Sequence, residues 1–192
     1  MDLKYEFYIN AGPEQVWQTL VSPDETKKIY YGSQIQSTFE VGSSLKYVGP
    51  GISGDETVHI QGAVLAFLPY KKFSHTCKVG EAYGSDRAKF ESRVTYNLVP
   101  VGESTELMLT HDRWMKGDPA YKETKKGWWM ILSAIKTLVE TGKLLNLGDV
   151  GHAETDPEDA ATRRKAAGVL HSSQVALLPD WSVGWTKTKN EF

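Results

Sequence analysis

The sequence lacks the features that mark several large classes of protein. It has one cysteine among 192 residues, so no disulfide can form within the chain, and we expect a reducing compartment. No stretch approaches the roughly 18 consecutive apolar residues of a membrane span. Positive charge is not in surplus, since 22 Lys and Arg face 24 Asp and Glu, which argues against a nucleic-acid-binding protein. Asp2, Lys4 and Glu6 interrupt the first ten residues, which therefore do not resemble a signal peptide, and we expect a cytoplasmic protein.

Motifs that carry chemistry are equally scarce. The five histidines show neither HExxH nor His-x-His spacing, and no G-x-S-x-G elbow occurs, so we expect no metal, no cofactor and no serine hydrolase. A metal site assembled from distant strands is the remaining alternative. Cys77 lies in a predicted strand, which favours a buried, inert thiol over a nucleophile. The G-x-G-x-x-G pattern at 49–54 precedes a strand rather than a helix, and so predicts a loop between antiparallel strands.

Alternating apolar and polar residues predict a sheet of about six or seven strands. Two short helices are predicted after the first strand, one beginning at Pro13 and one after Ser22, where Glu25 would complete a capping box. The predicted strands are Leu3–Asn10, Gln34–Glu40, Ser43–Tyr47, Thr57–Leu68, Lys72–Val79, Ala88–Leu98 and Thr105–Trp114.

A long amphipathic helix is the clearest element. Asp118 can cap it, Pro119 suits its first turn, and Gly142 suits its end. Its apolar residues recur at steps of three and four: Tyr121, Trp128, Ile131, Leu132, Ile135, Leu138 and Val139. Such a wide stripe needs a large apolar partner, and the sheet is the available one. The sequence therefore predicts an α+β fold.

A few polar residues share the apolar faces of the central strands. Parity places Tyr96 with the apolar residues of one strand, and His111 with those of the next, while Asp112 points away from His111. Phe73, His75 and Cys77 form a similar set. These residues are either ordinary core or the lining of a cavity between sheet and helix. Its apolar wall would come from Trp17, Tyr30, Tyr31, Trp128 and Trp129.

Four segments, taken in order, resemble a known family. Residues 9–17 resemble the I-x-A-x-P-E-x-V-W opening of START-like (SRPBCC, birch-pollen-allergen-type) domains. Residues 62–64 with Phe73–Thr76, and then Thr105–His111, resemble their central strands. Residues 127–142, GWWMILSAIKTLVETG, resemble the G-W-x-x-I-L-x-x-L-K-x-L-L-E-T-G helix of one branch, the activators of the 90-kDa heat-shock-protein ATPase and their stand-alone homologues.

This resemblance implies a helix-grip fold, in which a curved antiparallel sheet wraps a long C-terminal helix and frequently leaves a cavity for apolar ligands. We expect such a domain at 1–147. The 192 residues contain no counterpart of the N-terminal domain with which eukaryotic co-chaperones of the family hold their client. Residues 148–192 are predicted to be an extension with a short helix and a Trp-rich segment, docked on the domain or on a dimer partner.

Three functional hypotheses follow. The favoured one is a stress-related protein, without enzymatic activity, that binds a small hydrophobic or aromatic ligand in the cavity. The alternatives are a module that interacts with a heat-shock chaperone, and a cyclase- or dehydratase-like enzyme with His75 or His111 as general acid or base. The predicted cavity residues are Trp17, Tyr30, Phe73, His75, Tyr96, Leu109, His111, Trp128 and Leu132.

Overall fold

Seven antiparallel strands form one sheet in the order β1-β7-β6-β5-β4-β3-β2. The structure, a computed structural model, describes residues 2–51 and 53–146. The predicted α+β helix-grip fold is confirmed, whereas the predicted extension at 148–192 lies outside the described residues. The elements are β1 (Leu3–Ile9), α1 (Pro13–Val21), α2 (Pro23–Ile29), β2 (Gln34–Ser37), β3 (Ser44–Pro50), β4 (Glu56–Leu68), β5 (Lys72–Val79), a 3-10 turn (Glu81–Tyr83), α3 (Ser85–Ala88), β6 (Ser92–Val101), β7 (Ser104–Asp112) and α4 (Tyr121–Thr141).

The two short helices each begin with a proline, as predicted, because proline has no amide hydrogen to lose at that position. Helix α1 buries Val16, Trp17 and Leu20. The predicted capping box at Ser22 is wrong, since this side chain makes no capping hydrogen bond at the start of α2. Proline at the next position already removes one of the amides that a cap would satisfy.

Helix α4 buries one stripe, which consists of Trp128, Leu132, Ile135 and Leu138. It begins two residues later than predicted. Asp118 accepts the amide hydrogen of Ala120 at 2.9 Å, and this hydrogen bond holds Pro119 and Ala120 in a turn before the helix. It ends at Gly142, whose φ of 68° lies in the left-handed region that glycine adopts without a Cβ penalty. None of the helices in the described residues has the length and apolar character needed to cross a bilayer.

The strands bend as the fold requires. Register shifts between Tyr47 and Val48, and between Val64 and Ala66, mark irregularities of the kind that increase local curvature. Gly49 and Pro50 end β3, which pairs antiparallel with β4, so the prediction that this pattern connects antiparallel strands is confirmed. The prediction that a strand starts at Ala88 is wrong: α3 occupies that position and β6 starts at Ser92.

Candidate ligand-binding interior

The inner face of the sheet is a grid of side chains set by strand register. One row across β5, β6 and β7 consists of Phe73, Tyr96 and Leu109. The next row consists of His75, Val94 and His111. The two histidines therefore flank Val94 in one row, and each is only 2% exposed. In the third row Cys77 lies opposite Ser92.

Aromatic contacts join most of the predicted cavity residues. Ring centroids lie 6.4 Å apart for Trp17 and Phe73, 6.1 Å for Phe73 and Tyr96, and 6.2 Å for Tyr96 and Trp128. The half-buried Tyr30 reaches the same group through a 2.8 Å hydrogen bond between its hydroxyl and that of Tyr96. The aliphatic members, Leu109 and Leu132, belong to the same buried cluster.

His111 has a hydrogen-bond partner at both ring nitrogens. The indole Nε1–H of Trp128 donates to Nδ1 at 3.0 Å, which makes Nδ1 the acceptor and places the ring hydrogen on Nε2. Nε2 then donates to the Ser92 hydroxyl at 2.7 Å, and that hydroxyl donates to the Cys77 carbonyl at 3.0 Å. Burial lowers the pKa of His111 to about 3. The ring is therefore neutral and has no nitrogen available to a substrate, so the general acid or base role proposed for it lacks support.

His75 differs at one atom. Its Nδ1 lies 2.7 Å from the carbonyl oxygen of Thr76, but its Nε2 is buried and has no hydrogen-bond partner among the described residues. The ring lies between aromatic neighbours, with centroids 5.1 Å from Phe73 and 6.2 Å from Tyr47. Burial lowers the pKa of His75 to about 4, so this ring is also neutral at pH 7.

The other ionisable groups of this interior are uncharged as well. Burial raises the pKa of the Cys77 thiol and of the Tyr30 phenol to about 12. It raises the pKa of Tyr47 and of Tyr96 well above the usual value of 10.0. An anionic group would lose its hydration here without gaining a positive partner among these residues, whereas the carboxylates of Asp118 and Glu91 act on Cys77. The described residues contain no cluster of three or more His, Cys, Asp or Glu side chains that could hold a metal ion.

The inner face becomes more exposed toward one end. Along β5, Phe73 and His75 are buried, whereas Cys77 and Val79, which follow on the same face, are half-buried. Ile60, opposite Val79 on β4, is also half-buried. The row that contains His75, with its buried Nε2 atom, thus lies next to the half-buried end of the face.

Sequence reasoning missed two residues of this interior. Tyr47 lies two residues after the buried Leu45 on β3, on the same face, and that parity was the signal that could have found it. Ser92 is a buried serine at the start of β6 and lies opposite Cys77; its parity with Val94 and Tyr96 was the signal that could have found it.

Other features lie away from the interior. Trp129, predicted as part of the apolar wall, is 55% exposed, and it packs against Tyr5 and Phe7 with centroid distances of 5.0 and 5.9 Å. Tyr31 is half-buried. Two surface grooves of about 470 and 430 Å³ contain none of the predicted cavity residues. The first lies between α1, α2 and the end of α4, and the second lies beside β3, β4 and the 3-10 turn.

Comparisons with known proteins agree with this architecture. The model of the family described as "Activator of Hsp90 ATPase homolog 1-like protein" matches residues 10–140. No curated protein shows a significant match to the sequence.

Several solved structures share the fold. A protein from Mesorhizobium loti is 23% identical, with a TM-score of 0.60 over 75% of this chain and 100% of that one. The Aha1 dimer from Colwellia psychrerythraea is 22% identical, with a TM-score of 0.56 over 74% and 98%. An Hsp90 activator from Plasmodium falciparum is 19% identical, with a TM-score of 0.58 over 72% and 96%.

Proposed function

The chain belongs to the Activator of Hsp90 ATPase homolog 1-like family, and from the interior of its fold we propose that it binds a small, uncharged aromatic or apolar ligand between sheet and long helix. The observation that carries this proposal is the Nε2 atom of His75, which is buried in an aromatic interior and has no hydrogen-bond partner in the part of the chain that the structure describes. Leaving a buried polar atom unsatisfied costs about 1–3 kcal/mol, and a ligand that fills the hydrogen bond removes this cost.

The ligand would sit at the half-buried end of the inner face. The centre beneath α4 is occupied by side chains such as Phe73, Tyr96 and Leu132, all nearly inaccessible to solvent. Beyond His75 on the same face, Cys77 and Val79 are both half-buried. Because Nε2 of His75 is itself buried, a ligand that entered there would have to displace neighbouring side chains at this end of the face to reach it.

Native mass spectrometry of the protein purified from its own host tests the proposal. We expect an excess mass in the native spectrum that disappears on denaturation. Cys77→Phe, which adds bulk to the inner face at its half-buried end, should abolish the excess mass. The matched control Lys78→Ala changes the adjacent, outward-facing position and should retain it. A fully folded wild-type protein without excess mass would count against ligand binding, provided that small apolar aromatic compounds also fail to bind it in vitro.

A second candidate function is stimulation of a heat-shock ATPase. The family match and the Plasmodium falciparum relative, an Hsp90 activator, favour it. The test is the ATP turnover of the 90-kDa chaperone from the same host with and without this protein. Unchanged turnover together with no detectable binding would exclude the co-chaperone role. The same native spectra would show, by a doubled mass, whether this protein is a homodimer; the Colwellia psychrerythraea relative is a dimer.

A further inference from the structure

We infer that the ligand of this interior is a hydrogen-bond donor, of the class of neutral phenols, and that its hydroxyl donates to Nε2 of His75. The inference rests on the proposed function and specifies its chemistry. It follows from the position of one hydrogen on the His75 ring, and from the neighbours of that ring.

The backbone fixes that hydrogen on Nδ1. The carbonyl oxygen of Thr76 can only accept a hydrogen bond, and it lies 2.7 Å from Nδ1 of His75. A neutral imidazole carries one ring hydrogen, so Nε2 is left with a lone pair and no hydrogen. Nε2 is therefore an acceptor, and it calls for a donor from the ligand.

The neighbouring strand holds the Thr76 carbonyl in place. The amide of Ala63 donates to the Thr76 hydroxyl at 3.0 Å, which ties this residue to β4. Gly62 permits the close approach, because a Cβ at this position would collide with the Thr76 carbonyl oxygen. The acceptor state of Nε2 is thus built into the packing of β4 on β5.

His111 shows what a satisfied histidine in this sheet looks like. It lies in the same row, and the protein itself supplies a donor to its acceptor nitrogen, the indole of Trp128. For His75 no described residue has that role.

The surroundings select a neutral aromatic compound among the possible donors. The rings of Phe73 and Tyr47 lie beside His75, and they favour contact with another flat ring. A phenolate or carboxylate has no hydrogen to donate, and it would be buried without a counter-charge. An ammonium donor would also lose its hydration at His75, because the carboxylates of Asp118 and Glu91 influence Cys77 in the next row and not His75. A phenol has the hydrogen, the ring and no charge.

The test compares 1-naphthol with 1-methoxynaphthalene, which keeps the ring system but lacks the hydroxyl hydrogen. Binding is followed by the NMR signal of the indole N–H of the buried Trp128. The indole N–H of the exposed Trp129 serves as the reference signal. We expect 1-naphthol to bind about tenfold more tightly, the equivalent of one net hydrogen bond. In His75→Phe, which keeps an aromatic ring but removes the acceptor, the two probes should bind equally.

A readout without ligand protects the test against a variant that fails to fold. In the wild-type protein, ¹⁵N NMR of the imidazole should show Nε2 unprotonated, and the signal should shift when 1-naphthol binds. A protonated Nε2 would overturn the inference. So would equal affinity of the two probes for the wild-type interior, although the proposed function would then stand.

The ligand carried by host-purified protein is an independent probe. A ligand with a neutral donor group supports the inference, and one without such a group overturns it. If neither probe binds and host-purified protein carries no ligand, the proposed function fails and the inference fails with it.

Discussion

Acidification below about pH 6.5 should destabilise this protein, because His75 and His111 are buried in the neutral form. Their pKa values are lowered from 6.5 to about 4 and about 3 by burial. Between those values and 6.5 the unfolded chain binds a proton at each histidine that the folded chain does not. Stability from these residues is therefore complete above about pH 6.5 and is lost as the pH falls toward the folded values.

The size of the effect follows from these shifts. One pKa unit corresponds to about 1.4 kcal/mol, so lowering the pH from 7 to 5 removes about 2 kcal/mol of unfolding free energy for each histidine. The pair contributes about 4 kcal/mol, a large share of the roughly 5–15 kcal/mol typical of a folded domain. Urea unfolding followed by circular dichroism at fixed pH values measures this loss directly.

Two variants isolate the contribution of one histidine. His75→Phe removes the titrating group and keeps an aromatic side chain, so its loss between pH 7 and 5 should be about half that of the wild type. Phe73→Leu weakens the same buried face without removing a proton site, so it should be less stable at both pH values but show the full loss. Carboxylates such as Asp118, whose pKa burial raises, are present in all three proteins and cancel in the comparison. A wild-type loss under about 1 kcal/mol, or an identical loss in His75→Phe, would refute the reasoning.

Two further predictions concern single hydrogen bonds. Trp128→Phe deprives Nδ1 of His111 of its donor and should lower the unfolding free energy by about 2–4 kcal/mol. The control Trp129→Phe changes an exposed position and should lower it by less than about 1 kcal/mol. Equal effects of the two variants in urea unfolding would contradict the hydrogen-bond network around His111. The buried hydroxyl of Thr26 accepts the amide hydrogen of Ile35 at 3.0 Å. Thr26→Val keeps the shape but leaves that amide unsatisfied, at a cost of about 1–3 kcal/mol, while Thr26→Ser keeps the hydroxyl and should cost clearly less in the same assay.

Much of the fold could be predicted because it depends on periodicity. The alternation in the strands and the three- and four-residue steps of α4 directly encode which faces are buried. The errors in the predicted element boundaries occur where a local turn or hydrogen bond overrides the periodicity. Gly84, with a φ of 94°, turns the chain into the short α3, so β6 starts later than the alternation suggested. Asp118 caps a turn before α4 rather than the helix itself.

The candidate site was predictable only as a set of residues, because the difference between its two histidines does not lie in their own strands. Parity places both on the inner face, and both are equally buried. What separates them is a partner on α4: the indole of Trp128 reaches His111, and no described residue reaches Nε2 of His75. That distinction depends on where one helix rests across seven strands, a long-range packing outcome that no local pattern contains. The sequence therefore predicts which polar residues are buried, and the tertiary structure determines which of the buried nitrogens has no donor among the described residues.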